Sequence, residues 1–303
     1  MSEENIVIVG SGPAGLTAGI YAARAGLSPL VIEGMLSGGQ LTETAEVENF
    51  PGFADSVSGM ELMNSMRAQA EKSGVRFALD AVTDVYFSRN PFILNGMSGT
   101  YVAKSVIIAT GATPRWTGLP GEDAYKYRGI SSCAVCDGNF HRGKDVVVIG
   151  GGDTALADAI HLSKICRSVT LVHRRGAFKG TKVLVDRVLA ASNVTVKMNT
   201  SVESFEGDGK RLVSVRLSDS TELPVSGAFV AIGHVPQTEF LKGALDLDDE
   251  GYVRVDGVKT GVPGVFAAGD CANPLYKQAV IAASAGAQAA QEAQNFIAEV
   301  QRR

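Results

Sequence analysis

Cys133 and Cys136 are separated by two residues and followed directly by Asp137 and Gly138. Thiols at this spacing close a small-ring disulfide, and one thiol of such a pair commonly has a lowered pKa that makes it a competent nucleophile. The Asp137 carboxyl group, beside the dithiol, is suited to giving a proton to a departing thiolate; a helix or turn cap is its ordinary alternative use. Half of a zinc site with His141, or an inert pair, are the lesser readings of the cysteines. Tetrahedral zinc takes four ligands, there is no second C-x-x-C, and Cys166 and Cys271 stand alone, so redox chemistry is expected and a metal is not.

Two glycine-rich turns have the form of dinucleotide sites. Gly10-Ser11-Gly12-Pro13-Ala14-Gly15 fits G-x-G-x-x-G between an apolar run and a helix-compatible stretch. Its glycines permit a tight turn and let a pyrophosphate lie against the free amides and dipole of a helix N-terminus. Glu33 falls 18 residues beyond Gly15, where a carboxylate binds ribose hydroxyls. A purely structural turn is the alternative. Gly150-Gly151-Gly152-Asp153-Thr154-Ala155 is the G-x-G-x-x-A form, and 18 residues beyond Ala155 stands His173, followed by Arg174 and Arg175. A carboxylate there would repel a ribose 2'-phosphate, whereas guanidiniums form charge-assisted hydrogen bonds with it, and Lys179 adds a further cation. A solvated basic strand end is the plainer reading. An acid at one site and arginines at the other suggest FAD in the first and NADPH in the second.

The elements that must position these residues are legible in outline. Ile6 to Val9, Ser28 to Ile32 and Val106 to Ala109 read as strands, Pro13 to Ala25 as a helix, and Ser58 with Glu61 as the capping box of a helix ending near Gly74. The pattern restarts with a strand at Asp145 to Ile149, a helix at Thr154 to Ile165 and a strand at Val169 to Val172. Val265 to Asp270 reads as a strand ending in a turn, and the Ala-rich segment Gln278 to Val300 as a helix. At 303 residues the chain has room for about two domains, so two α/β nucleotide folds are expected.

Composition narrows the classes further. With 45% hydrophobic residues, 20% charged and a net charge of -4, the chain is neither disordered nor suited to a polyanion, so nucleic acid is not an expected partner. It holds 35 glycines against about 21 at the usual frequency, without a collagen period, which implies tight turns and close backbone approach to ligands. The acidic N-terminus lacks the basic region of a secretory signal and no apolar run spans a bilayer, so a cytoplasmic location without membrane attachment is expected.

Taken together and in order, these motifs resemble the low-molecular-weight thioredoxin reductases of bacteria and archaea over essentially the whole chain. Further segments carry the resemblance: Gly38-Gly39-Gln40-Leu41, Glu46 to Gly52, Ala109-Thr110-Gly111-Ala112 and Gly264 to Asp270. It implies two Rossmann-like, three-layer domains: an FAD domain from residues 1–115 and 245–303, and an NADPH domain of residues 116–244 inserted between them and carrying the C-x-x-C. FAD contacts are then expected from Gly10, Gly12, Pro13, Ala14, Gly15, Glu33, Gly38, Gly39, Gln40, Leu41, Asn49, Val82, Ala109, Thr110, Gly111, Gly269, Asp270, Lys277, Gln278 and Ala279. NADPH contacts are expected from Gly150, Gly152, Asp153, Thr154, Ala155, His173, Arg174, Arg175, Lys179, Ile232 and Gly233.

By the same resemblance, Cys136 is the thiol next to the flavin, Cys133 the one that attacks the protein disulfide, and Asp137 the acid. Electrons would pass from NADPH through FAD and the disulfide to thioredoxin or a thioredoxin-like protein, in a homodimer. The resemblance implies rotation of one domain against the other, with hinges near Thr113 to Gly118 and Leu241 to Leu247. Two alternatives stay open: a reductase of another carrier, glutaredoxin-like or peroxidase-linked, and a small-molecule dithiol oxidase, which would not need Arg174 and Arg175. Departures from the family pattern are Asn139 and His141 where aromatic residues are common, Lys179 and Lys277 where arginine is usual, and Ser284 near the flavin. Lysine keeps the charge but loses bidentate geometry, which predicts a weaker preference for NADPH over NADH.

Overall fold

The computed structural model describes residues 3–44 and 46–302. Packing divides the chain into two compact units, Met1–Thr113 with Val235–Arg303, and Pro114–His234. The second unit begins two residues before the expected 115/116 boundary and ends ten residues before the expected 244/245 boundary. Residues 235–244 go with the first unit because Leu241 is buried in its core beside Leu245.

The first unit opens with β1 (Glu3–Val9), whose Ile6 to Val9 are buried. That continuous apolar run is what a strand covered on both faces requires. α1 (Pro13–Arg24) follows, with Pro13 at its start, where the missing N–H costs nothing and the fixed φ already suits a helix. β2 (Leu30–Ile32) lies parallel to β1. α2 (Gly59–Lys72) begins with the expected capping box, Glu61 N donating to Ser58 Oγ at 3.2 Å and Ser58 N to Glu61 Oε2 at 3.1 Å. β3 (Arg76–Ala78), β4 (Val82–Tyr86), β5 (Phe92–Gly96) and β6 (Thr100–Ile108) complete a sheet of order β3-β2-β1-β6-β5-β4. The β4, β5 and β6 contacts are antiparallel and the others parallel.

After β7 (Ala112–Pro114) the second unit runs through α3 (Glu122–Tyr125), β8 (Ile130–Ser131), α4 (Ala134–Asp137), β9 (Asp145–Ile149), α5 (Asp153–Ser163), β10 (Ser168–His173), α6 (Lys182–Ala190) and β11 (Val194–Met198). β12 (Val202–Gly207), β13 (Leu212–Leu217), β14 (Glu222–Pro224), β15 (Gly227–Val230) and β16 (His234–Pro236) follow. The parallel sheet has the order β11-β10-β9-β15-β8. One apolar cluster joins it to α5 and α6, and another joins it to the antiparallel sheet β12-β13-β14. The unit therefore has three layers, one of them antiparallel strands in place of helices.

The chain returns on β16, which pairs with β7, adds β17 (Val265–Ala267) to β6, and ends in α7 (Ala279–Arg302). The crossing strands are thus 112–114 and 234–236. The segment 241–247, expected as the second hinge, is anchored to the core of the first unit by the buried Leu241 and Leu245, while Lys242, Gly243 and Asp246 are exposed.

Helix α7 presses closely on α1: a Cβ on Gly286 would stand 2.0 Å from the Ala14 carbonyl oxygen. Helix propensity favours alanine over glycine by about 1 kcal/mol, but a backbone clash cannot be relieved by a rotamer, and overpacking costs about 1–3 kcal/mol. Gly286→Ala is therefore expected to lower the apparent melting temperature by about 5 °C, read by thermal scanning; an increase would mean the helices separate freely.

Candidate functional site

The first fingerprint is built around backbone that only glycine supplies. Gly10 has φ +111°, and a Cβ there would lie 2.2 Å from the Ala109 carbonyl oxygen. A Cβ on Gly12 would meet nothing within 4 Å, so the turn opens outward at the α1 N-terminus, where Pro13, Ala14 and Gly15 follow and no acidic residue stands in the first turn. The Gly38-Gly39 loop is stitched to this turn. Gly38 N donates to Ser11 Oγ at 3.0 Å, Ser11 Oγ donates to the Glu33 carbonyl at 3.1 Å, and Gly39 lies against the Gly12 backbone. Gln40 and Leu41 start the next short turn, where Gln40 Nε2 donates to the Ala112 carbonyl.

The C-terminal part of the unit closes around the same helix. Gly269, with φ +78°, packs against Ala14, and Asp270 follows it. Burial pushes the Asp270 carboxyl up to about 6 against the pull of Lys277, whose Nζ lies over the Tyr252 ring at 5.1 Å. Asn49 Nδ2 donates to Gln278 Oε1 at 3.1 Å, and Ala279 begins α7. At the end of β6, Ala109 is buried, Gly111 has φ +73°, and the buried Thr110 hydroxyl finds no partner beyond the Cys271 thiol. Val82 opens β4 and packs on the core cluster that contains Val85 and Leu94. An open glycine cradle, an undersatisfied buried hydroxyl and a half-buried carboxylate beside one helix N-terminus fit a dinucleotide such as FAD.

Glu33 is buried (7% exposed), and its carboxylate is held from two sides. Ser37 Oγ donates to it at 2.5 Å, and the Arg67 guanidinium, seated on the Phe77 ring at 4.2 Å and bonded to Glu71 at 3.0 Å, forms an ion pair with it. Arg67 lies on α2, 34 residues from Glu33, and sequence reasoning missed it because only the fold joins them. A carboxylate oriented before a ribose arrives binds it without first being ordered. Arg67→Met is accordingly expected to weaken FAD binding to the apoprotein about tenfold, as loss of one charge-assisted bond would. Titration by flavin fluorescence tests this, and an unchanged dissociation constant would assign Arg67 to surface packing.

The second fingerprint repeats the design. Gly150 has φ +153°, and a Cβ there would sit 2.3 Å from the Ala231 carbonyl oxygen and 2.7 Å from the Ala155 methyl; Gly152 opens to space. The His173 ring is buried against Gly151 of the fingerprint turn, with Nε2 3.0 Å from the Ala177 carbonyl and the ring stacked on Phe178. Through Ala177 and Phe178 it touches the loop that follows. That loop is strapped down by Lys179 N donating to the Gly151 carbonyl at 2.8 Å and Thr181 N to Asp153 Oδ1 at 2.6 Å. Thr154, Arg174, Arg175 and Lys179 are exposed, and among the described residues no ion pair engages either arginine or Lys179. Ile232 and Gly233, the latter with φ +104°, follow β15. Free cations on a fixed loop beside an open helix N-terminus fit a phosphorylated nucleotide such as NADPH.

The redox motif lies in this same unit. Cys133 and Cys136 form a disulfide, with Cα atoms 5.3 Å apart. Cys133 caps α4, and Cys136 N donates to its Sγ at 3.2 Å. Ala134 is buried in the core, and a Cβ on Gly138 would come within 3.0 Å of Leu162 and Ile165, so the motif is pressed against the end of α5. Burial raises the Asp137 carboxyl above the usual range while a hydrogen bond with Ser131 lowers it. His141 is committed elsewhere, with Nδ1 3.1 Å from Ser226 Oγ, its ring edge-on to Phe229, and its pKa pushed down to about 4 by burial. Burial pushes the Cys166 and Cys271 thiols up to about 11, which keeps both protonated and unreactive at neutral pH.

Two nucleotide folds, one inserted in the other and carrying a C-x-x-C disulfide, define a flavoprotein disulfide reductase. The model of the pyridine nucleotide-disulphide oxidoreductase family matches residues 4–286. A thioredoxin reductase of Streptomyces coelicolor is 47% identical over 302 residues, covering 97% of this chain and 94% of that protein. A protein of Pseudomonas fluorescens named glucosaminate ammonia-lyase is 43% identical, covering 96% and 95%. The solved thioredoxin reductase of Giardia duodenalis superposes with a TM-score of 0.93 at 39% identity, covering 98% of this chain and 100% of that one. The chain belongs to the thioredoxin reductase branch of the pyridine nucleotide-disulphide oxidoreductases, and its cofactors are FAD and NADPH. Among the described residues no helix is long and apolar enough to cross a membrane.

Proposed function

We propose that the chain is an NADPH-dependent reductase of the disulfide of thioredoxin, with FAD held by the discontinuous unit and NADPH by the inserted one. The observation that carries this is a formed C-x-x-C disulfide in the same unit as a fingerprint tipped with free arginines. FAD, when bound, takes the hydride of NADPH and supplies two electrons to the disulfide. Gly10 to Gly15 and the α1 N-terminus bind its pyrophosphate, Glu33 a ribose, and Asp270 the ribityl and phosphate region. Arg174, Arg175 and Lys179 bind the 2'-phosphate of NADPH.

The reduced pair then works by thiol–disulfide exchange. Cys133 Sγ attacks the partner's disulfide, Cys136 resolves the mixed disulfide, and Asp137 protonates the departing thiolate. The Cys136 N–H aimed at Cys133 Sγ favours negative charge on that sulfur, which suits it to be the attacking thiolate. The enzyme works as a homodimer in the cytoplasm. The free arginines disfavour a dithiol oxidase, and a formed disulfide has no use in an ammonia-lyase reaction.

Anaerobic titration with NADPH and then NADH, followed by a thioredoxin-coupled disulfide assay, tests the reading. NADPH is expected to bleach the yellow chromophore and thioredoxin to be reduced. Failure of NADPH to bleach it would sink the cofactor assignment, and bleaching without thioredoxin reduction would pass the activity to another disulfide carrier.

A further inference from the structure

We propose that Asn199 is a positioning residue for NADPH specificity: its left-handed backbone turns the end of β11 so that it clips the loop carrying Arg174 and Arg175; the proposal rests on those arginines binding the 2'-phosphate. β10 and β11 run parallel, and His173 opposite Met198 is the last pair of their register. Beyond that pair the chain leaves strand geometry at one residue. Asn199 has φ +52°, in the region that most L-residues avoid because Cβ crowds the backbone carbonyl, and that glycine, asparagine and aspartate enter most readily.

The consequence falls on two adjacent amides. In an extended strand successive N–H groups point to opposite edges, whereas a left-handed residue turns neighbouring N–H groups toward one side. Asn199 N donates to the Arg175 carbonyl at 3.2 Å, and Thr200 N donates to the His173 carbonyl at 3.1 Å. The two carbonyls that flank Arg174 are thereby held from one strand end, and the exposed arginine side chains stay free for a ligand. The Lys179 half of the loop is held separately, by the Gly151 carbonyl and Asp153. The Asn199 side chain lies over the bend between the two halves: a Cβ on Gly176 would stand 3.2 Å from Asn199 Oδ1.

The clip is itself anchored. Thr200 is buried, with Oγ1 donating to the Met198 carbonyl at 2.9 Å. Ser201 N donates to Ser218 Oγ at 3.1 Å and Ser218 N to the Ser201 carbonyl at 2.9 Å, which ties the segment to the turn after β13. The first unit fixes its corresponding stretch in a similar way: Glu33 N donates to the Ala78 carbonyl at 3.0 Å and Gly34 N to the Asp80 carbonyl at 2.9 Å, at and just beyond the end of β3.

An arginine on an untethered loop loses backbone freedom when it meets a phosphate, and that loss is subtracted from affinity. Holding the His173 and Arg175 carbonyls before the nucleotide arrives removes this cost. The gain reaches only a nucleotide that uses the arginines, one with a 2'-phosphate, so Asn199 acts on the preference between nucleotides and not on nucleotide binding as a whole.

NADP+ and NAD+ bind without reducing the flavin, so calorimetric titration of the oxidised holoenzyme reads affinity apart from turnover. Asn199→Val is expected to weaken NADP+ about fivefold to tenfold and to leave NAD+ within about twofold, because a β-branched residue resists positive φ and the two amides no longer meet both carbonyls. Asn199→Gly keeps the left-handed backbone and deletes the side chain, so both nucleotides should bind within about twofold of wild type. Bleaching of the flavin by NADH confirms that each variant is folded; should Asn199→Val not fold, Asn199→Ala carries the same test, with about a threefold loss for NADP+ alone. Unchanged NADP+ affinity, or an equal loss with both nucleotides, overturns the proposal. A loss in Asn199→Gly as large as in Asn199→Val overturns the backbone role and assigns the effect to the amide side chain. Arg174→Ala with Arg175→Ala separates the two levels: if that pair does not discriminate NADP+ from NAD+, the reading of the arginines as the phosphate site is wrong. If it does while Asn199→Val does not, only the positioning role of Asn199 fails.

Discussion

Cys133→Ser is expected to lower thioredoxin reduction at least about 1000-fold while NADPH still bleaches the bound flavin. A serine hydroxyl at Cys133 can neither close the S–S bond nor attack one, so the route is cut after the cofactors and before the partner. The two cysteines are distinguished by what happens next. With Cys136→Ser, Cys133 keeps its nucleophile and the backbone N–H that favours its thiolate, now with no resolving thiol, so a covalent mixed disulfide with thioredoxin should accumulate. Cys133→Ser should trap none. Non-reducing electrophoresis after mixing with prereduced variant and oxidised thioredoxin reads the difference. Trapping by Cys133→Ser and not by Cys136→Ser would exchange the roles of the two thiols, and undiminished turnover of Cys133→Ser would remove the pair from the route.

What the sequence disclosed was the part of the molecule in which chain order and spatial order coincide. A strand, a glycine turn and a helix N-terminus are consecutive, and the backbone demands at Gly10 and Gly150 are written as residue types because a Cβ there would strike a carbonyl oxygen. The Ser58 capping box is likewise local. Where contact depends on distant chain, the signal vanished. Arg67 reaches Glu33 across 34 residues, and nothing in α2 marks it apart from other surface arginines. β3, β4 and β5 are short and mixed in burial, so neither a continuous apolar run nor a clean alternation announces them. His173 occupies the position set by the fingerprint, yet its direction is decided by the bare backbone of Gly151, which admits a ring where a side chain would exclude it. Between Leu241 and Leu247 the scattered apolar residues have no periodicity to distinguish a linker from a loop returning to the core, so the position of the second crossing is not legible there.

Arg174→Ala with Arg175→Ala is expected to raise the KM for NADPH about 100-fold, leave kcat within about twofold, and leave the KM for NADH nearly unchanged. Each guanidinium bond to a phosphate contributes about 1.5 kcal/mol or more, or about tenfold in affinity, and two independent losses multiply. The effect belongs in KM because the 2'-phosphate is remote from the hydride and is bound equally in ground and transition states. Loss of the two side chains leaves the loop in place, since it is held by backbone: Lys179 N on the Gly151 carbonyl, Asn199 N on the Arg175 carbonyl at 3.2 Å, and the His173 ring beneath. Lys179 remains as a single point charge, so some preference for NADPH should persist, and its dependence on salt should weaken as two of three cations are gone. A fall in kcat with both nucleotides would mean that the loop had collapsed. An unchanged NADPH/NADH ratio would mean that the phosphate is bound elsewhere, and with it would go the physical reason for placing NADPH in the inserted unit.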